Sequence, residues 1–422
     1  MINHNSIKEV DGAVFSSQFR KPLYDSYCFS NIPGTIETLL TGKSSLNSLP
    51  LGTTPHDKYD KVVLFLVDAF GWCFFEKYKD KYPILKRFIQ DGMVSKITSQ
   101  FPSTTAAHVT TIHTGEPVGK SGVFEWHYYE PKVDNMITPL LFSYVDDNER
   151  NTLSKVIDPN EIFPNYSLYK KLDEKNIQTY LFQSAKFTPS PYGDAVSKGV
   201  KHVKAFEDWE SGLVELSKVI KNEQDKAYFY FYYGDIDSVG HDHGLDSETF
   251  EKTTDAFFRQ LETLFLNEVM GQSENTLMIL TADHGQTAIN PSTTAYVDIL
   301  LPDIINWNQT NKKGQLLAPG GSSRDLFLYI KEEYTETAIE ELKKVLNNKA
   351  EIYPVNELLE KGLFGRDPSG KLKDRLGNIC ILPYEKESVF WWGEGKYEQK
   401  MYGHHGGLTP EEMDSVFLTL EL

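Results

Sequence analysis

This chain has few cysteines, no block of basic residues and no apolar run long enough to cross a bilayer. Cys28, Cys73 and Cys380 are its only three cysteines, odd in number and far apart. No pair has redox or zinc-knuckle spacing, so reduced thiols are expected rather than a disulfide framework. Residues Met1 to Val10 lack the apolar stretch of a signal peptide. No membrane span is expected, and a cytoplasmic protein is the default reading. Net charge is −17, with the basic residues dispersed. That excludes broad binding to nucleic-acid backbones or anionic membranes. It does not exclude an anionic small molecule, because bound divalent cations invert the local charge. Internal repeats and low-complexity tracts are also absent.

What is present is enough chain for a large core: 422 residues, 40% apolar and 24% charged. Apolar runs end in acidic residues at three places. Val62 to Val67 runs into Asp68; Tyr228 to Tyr233 runs into Gly234-Asp235-Ile236-Asp237-Ser238-Val239-Gly240-His241; Leu277 to Leu280 runs into Thr281-Ala282-Asp283-His284-Gly285. Continuous apolar runs rich in β-branched and aromatic residues read as buried parallel strands. Ligands of open α/β sheets gather outside the carboxyl ends of such strands. Carboxylates and imidazoles collected there point to a metal site, and one this acidic to more than one cation.

Between the runs lie helical patterns, 206–221 and 250–266 among them, so strands and helices alternate to about residue 300. This predicts an α/β three-layer sandwich with a mostly parallel central sheet. Residues 1–50 read as an N-terminal arm, with a short helix over 35–41. Residues 51–300 and 400–422 read as the catalytic α/β domain, closed by a last strand over 416–420. Residues 301–399 have a different texture: a glycine-rich loop at 319–323, a strand at 325–330, a helix at 335–347 and a strand at 352–355. They read as a small α+β lid insertion.

Asp237 and His241 are four apart, so on a helix starting there both face one way and share a cation. Gly285 permits the sharp turn that brings Asp283 and His284 to one ion. Asp68 after so apolar a strand is costly unless paired or metal-bound. Each has a plainer reading, as a helix cap or a solvated side chain, and Asp235 reads best as a turn residue. In Phe101-Pro102-Ser103-Thr104-Thr105-Ala106-Ala107-His108 a helix begins among hydroxyls and ends near Gly115. Its N-terminus suits a phosphate, and its hydroxyls serve either as cap or as nucleophile. His404 and His405 stand among glycines, and only one of them is needed as a ligand. His108, His113, His127, His202 and His243 carry no spacing argument and read as structural or solvated. Phe70, Trp72, Phe124, Trp126 and Tyr128 read either as a slot for an apolar group or as helix–sheet packing.

Together these motifs resemble the alkaline phosphatase superfamily, and within it the type I phosphodiesterase/nucleotide pyrophosphatase family. The resemblance covers about residues 60–290 and 402–410. It implies an alkaline-phosphatase-like fold and a hydrolase acting on phosphodiesters or pyrophosphates of nucleotide-like small molecules. It implies two divalent cations, zinc with manganese as the alternative. One would be held by Asp237, His241 and His405, the other by Asp68, Asp283, His284 and a threonine oxygen. Thr105 is the implied nucleophile, by its distance to Thr114-Gly115, with Thr104 as the rival; a phosphothreonine intermediate follows. His405 is preferred to His404 because it directly precedes glycine. Departures are also present. The family's Thr-Phe-Pro-Asn is Thr105-Ala106-Ala107-His108 here, and an asparagine that contacts the phosphoryl oxygen is replaced near Glu125 and Trp126, which become the candidate substrate contacts. A phosphomonoesterase, phosphonate hydrolase or phosphomutase of the same superfamily remains the alternative, followed by an inactive phosphate-binding module. The absence of a Cys/Ser-x-Pro-x-Arg pattern at the helix start argues against a sulfatase. Oligomeric state is not legible.

Overall fold

Side chains alternate between the two faces of a strand, and here both faces are covered. The computed structural model describes residues 1–422. Its main sheet has seven strands: β1 (Lys61–Val67), β2 (Met93–Thr98), β3 (Gln178–Ser184), β4 (His202–Phe206), β5 (Ala227–Tyr233), β6 (Thr276–Thr281) and β7 (Asp414–Glu421). The spatial order is β2-β7-β6-β1-β5-β3-β4. β1 runs parallel to both β5 and β6, with Leu64 opposite Tyr230 and Ile279. β7 is antiparallel to both neighbours.

One face carries Val62, Leu64, Leu66, Tyr228, Tyr230, Leu277 and Ile279. The other carries Val63, Phe65, Val67, Phe229, Phe231, Met278 and Leu280. Helices Trp72–Tyr78, Pro83–Gln90, Trp209–Asn222 and Glu248–Gln260 cover the second face. The first is covered by α1 (Thr105–Thr114) and by the helix Ile32–Thr41, whose Ile32, Ile36, Leu39 and Leu40 belong to the same core. Residues of the expected arm are therefore packed on the sheet, and Ile2 forms a parallel bridge to Val94 at its edge.

The last strand does not close the sheet at an edge. It lies between β6 and β2, leaving β2 outermost. The sequence conceals β2 because Ser95 and Lys96 interrupt its apolar pattern. In the fold Lys96 is buried and its Nζ reaches Asp414 at 2.7 Å and Asp11 at 2.6 Å.

The segment 301–399 contributes an antiparallel three-stranded sheet of Leu326–Leu328, Ile379–Pro383 and Ala350–Pro354, with the helix Thr335–Val345 packed on one side. Its other side, through Phe327, Cys380 and Leu382, joins the main core. The strands β6, β1 and β5 lie side by side and point the same way, so their carboxyl ends bring Asp283, Asp68 and the start of α2 (Asp235–His243) together.

Candidate active site

Local backbone geometry turns each strand end into the same space. Ala69, directly after Asp68, has φ 63°, a left-handed conformation that a non-glycine residue adopts only when its surroundings hold it there. Its N–H donates to Asp283 Oδ1 at 3.1 Å, as does the N–H of His284 at 3.0 Å. Gly71 and Gly285 are in contact: a Cβ on Gly71 would lie 2.7 Å from Gly285 Cα. The His405 loop is brought in by a short antiparallel pair, Gly403–His404 with Thr287–Ala288.

Two groups of potential ligands result: Asp237, His241 and His405, and Asp68, Asp283 and His284, the ligand atoms of each group lying within 4.8 Å of one another. In the first, Asp237 Oδ2 is 3.2 Å from His241 Nε2 and Oδ1 is 3.6 Å from His405 Nε2. In the second, His284 Nε2 is 3.5 Å from Asp68 Oδ1 and 3.3 Å from Asp283 Oδ2. The rings of His284 and His405 stack at 3.7 Å between centroids, so the groups adjoin.

Each of these imidazoles has a backbone carbonyl beside Nδ1: Gly403 O for His241 at 2.7 Å, Ser103 O for His405 at 2.9 Å and Gly285 O for His284 at 3.0 Å. A carbonyl only accepts, so Nδ1 carries the proton and Nε2 keeps its lone pair for a cation. Burial holds His284 well below the usual histidine range, and His405 below it as well. Burial, reinforced by Asp283 and Asp237, pushes Asp68 well up, and burial raises Asp283 to about 7. Burial also acts to raise Asp237, but His241, His405 and His284 outweigh it and hold its carboxyl far below the usual range.

Thr105 is the first residue of α1. Its Oγ1 is 3.2 Å from His284 Nε2 and 3.4 Å from Asp68 Oδ2. Thr104 is the N-cap residue, but its hydroxyl donates to Phe124 O at 2.8 Å and faces away from both ligand groups. His405 stands in the first ligand group; His404 does not. His108 is a satisfied core histidine: Nδ1–H donates to Thr104 O at 2.7 Å and Nε2 accepts from Gln100 N at 2.8 Å.

The aromatic slot does not form. Phe70 and Trp72 pack on one side of the sheet, Phe124 and Tyr128 on the other. Only Trp126, 43% exposed, remains open to a ligand. Glu125 is buried and its Oε2 accepts from the Trp126 N–H. Burial raises its carboxyl to about 7, and burial together with Glu125 raises its neighbour Asp325 well above the ordinary range.

Sequence reasoning missed Asp325 and Tyr232. Tyr232 Oη donates to Asp68 Oδ2 at 2.5 Å. The signal was present, since Tyr232 is the last even-numbered tyrosine of β5 on the face that carries Tyr228 and Tyr230, but the run reads as uniformly apolar.

The donor set fits divalent cations. The buried carboxylates of Asp68 and Asp283 and the half-buried one of Asp237 converge with three imidazoles, and Asp283 Oδ2 is buried without a hydrogen-bond partner. An unpaired buried carboxylate oxygen is strongly unfavourable unless a cation meets it.

The fold is α/β with a mostly parallel central sheet, and the site offers the donor set of a metal-dependent enzyme. The sequence profile of the type I phosphodiesterase/nucleotide pyrophosphatase family matches residues 62–408, and the chain belongs to that family. Family members depend on metal, and the protein is a hydrolase of the phosphodiesterase/nucleotide pyrophosphatase type. Among solved structures it is similar to murine ectonucleotide pyrophosphatase/phosphodiesterase 5, in one case as an inactive variant in complex with AMP, and to the human protein of that name. These matches have 16% identity and a TM-score of 0.64, cover 85% of this chain and cover 87–88% of theirs. At that identity they speak for the fold. A comparison with curated proteins finds no match.

Proposed function

We propose that the protein hydrolyses a phosphodiester or pyrophosphate bond in a small nucleotide-like substrate, with Thr105 as nucleophile and two divalent cations, zinc or else manganese, as cofactors. Asp237, His241 and His405 would hold one cation. Asp68, Asp283, His284 and Thr105 Oγ1 would hold the other. A likeness to a protein solved with AMP supports a nucleotide-like substrate. The observation that carries the reading is the place of the Thr105 hydroxyl: at the N-terminus of a ten-residue helix, against Asp68 and His284 and beside the second ligand group.

When bound, the cations supply Lewis-acid stabilisation of charge on the attacking and leaving oxygens. The remaining steps belong to the chain. The free N–H groups of the first turn of α1 hold phosphoryl oxygens, aided by the helix dipole. Thr105 Oγ1 gives up its proton to solvent and attacks phosphorus in line, the bond from phosphorus to the ester oxygen breaks opposite it, that oxygen takes up a proton from solvent, and a phosphothreonine forms. Water then enters from the side the leaving group vacated and releases Thr105. The Nδ1–H bonds of His241, His284 and His405 to backbone carbonyls fix the tautomer and the ring orientation, so that Nε2 is the atom each would turn to a cation. Trp126, exposed beside the buried Glu125, would be the side chain that meets the leaving group.

The test is hydrolysis by zinc- or manganese-loaded protein of a nitrophenyl nucleotide diester and of nitrophenyl phosphate, with Thr105→Ala and chelated protein as controls. Diester hydrolysis lost in both controls is the expected result. Hydrolysis of the monoester alone would move the assignment to a phosphatase or phosphomutase.

A further inference from the structure

Gln286 directly follows Asp283-His284-Gly285 but is a member of neither ligand group. It is 3% exposed. Its Nε2 lies 2.5 Å from Asp237 Oδ1 and 3.1 Å from Asp237 O. Both are acceptors, so the amide nitrogen must occupy this corner; the flipped amide would set oxygen against oxygen. The other end of the amide is wedged between two glycines. A Cβ on Gly240 would lie 2.2 Å from Gln286 Oε1, and one on Gly403 would lie 2.6 Å from it. Gly240 precedes His241, and Gly403 supplies the carbonyl that accepts from His241 Nδ1. The space for this side chain is therefore made within the two segments that deliver His241 and His405.

Gln286 Oε1 is buried there with no hydrogen-bond partner. A buried acceptor without a donor is unfavourable, and an apolar side chain of similar length would fill the same gap without that penalty. What an apolar side chain would lack is the donor pair on Asp237. We propose that Gln286 is a positioning residue for Asp237: its NH2 group fixes the carboxylate, engaging one lone pair of Oδ1 and leaving Oδ2 beside His241 for the cation. Carboxylate ligands are themselves oriented by hydrogen bonds from outside the coordination sphere, and losing such a partner weakens metal binding. The inference rests on the reading of Asp237 as a ligand.

The experiment titrates metal-free protein with Co(II), followed by its visible absorption, and with Zn(II) against a competing chelator. Asp237→Ala identifies which binding step belongs to the Asp237 group. Gln286→Met keeps length and removes both amide atoms. Its expected effect is a roughly 10- to 100-fold loss of affinity at that step, with a changed Co(II) spectrum. The step of the Asp68 group and the thermal midpoint of the metal-free protein should stay as in wild type, which separates positioning from misfolding. If Asp237→Ala removes no step, the ligand assignment fails, whatever Gln286 does. If Asp237→Ala removes one step and Gln286→Met leaves both affinities unchanged, or lowers them equally, Gln286 does not position Asp237.

Discussion

Two adjacent threonines differ in where their hydroxyls point, and the proposed choice of nucleophile rests on that difference. Thr105 faces Asp68 and His284; Thr104 donates to the buried Phe124 carbonyl. Thr105→Ala should lower diester turnover by on the order of 10³-fold or more, as loss of a nucleophile does. Thr104→Val should instead cost about 1–3 kcal/mol of stability, from the stranded carbonyl, with turnover largely kept. The reverse pattern in kinetics and urea denaturation would exchange the two roles. Tyr232 is tested the same way. Tyr232→Phe removes the donor to Asp68 Oδ2 and should weaken the cation of that group by about 10- to 100-fold in a chelator competition. Glu125 is a further residue with a directional test. Its carboxyl rises from 4.5 to about 7, so the folded state retains a proton that the unfolded chain releases. Its contribution to stability is therefore present below pH 4.5 and lost as pH rises through about 7. Glu125→Gln, neutral at every pH, should gain roughly 1–3 kcal/mol over wild type at pH 8 relative to the difference at pH 5. Urea unfolding at the two pH values checks this, and equal differences would contradict it.

At the scale of elements, the site is the meeting of three parallel strand ends, one helix N-terminus and one returning loop. The strand ends were legible because buried parallel strands are apolar throughout, so the first acidic residue after each run stands out. The helix was legible too, by its hydroxyl-rich start and Gly115, which caps it at φ 76°. β2 was not, because Lys96 is buried through ion pairs that only the fold supplies. Nor was the packing of the first fifty residues, whose Val10, Phe29 and Ile36 show no strong period until the sheet is there to receive them. Tyr232, Gln286 and Asp325 escaped for another reason: they act on other side chains, and a sequence shows residue types but not who faces whom. Close backbone approach joins these elements. A Cβ on Gly71 would meet the backbone of Gly285, which cannot give way without moving His284. Gly71→Ala should lower stability by about 1–3 kcal/mol through overpacking and weaken the Asp68 group's cation along with it. A calorimetric midpoint and metal affinity both equal to wild type would contradict this.

Over the whole molecule, the segment 301–399 is tied to the loop that carries His405. Arg324 and Glu412 form a fully buried pair at 2.8 Å, and Glu412 Oε1 accepts from Gly407 N–H at 3.0 Å, two residues after His405. Ser322 Oγ donates to His405 O at 3.3 Å. The two ligand groups are thus supported from both parts of the chain, and their charge state couples to folding. Asp283, raised to about 7, retains a proton in the folded metal-free protein that the unfolded chain releases above 3.8. His284 and His405, both lowered, destabilise the folded state as pH falls below 6.5. Cation binding requires the carboxylates ionised and the imidazoles neutral, so both demands are met as pH rises. The rise in thermal midpoint on adding zinc should therefore grow steadily from pH 5.5 to pH 8; a shift constant across that range would contradict it.

The most direct test of the account is the stereochemical course at phosphorus. A diester made chiral by sulfur would be cleaved in isotopically labelled water and the configuration of the product determined. Attack by Thr105 followed by attack of water inverts phosphorus twice, so net retention is predicted. Net inversion would mean that water attacks the substrate directly, and Thr105 would not be the nucleophile.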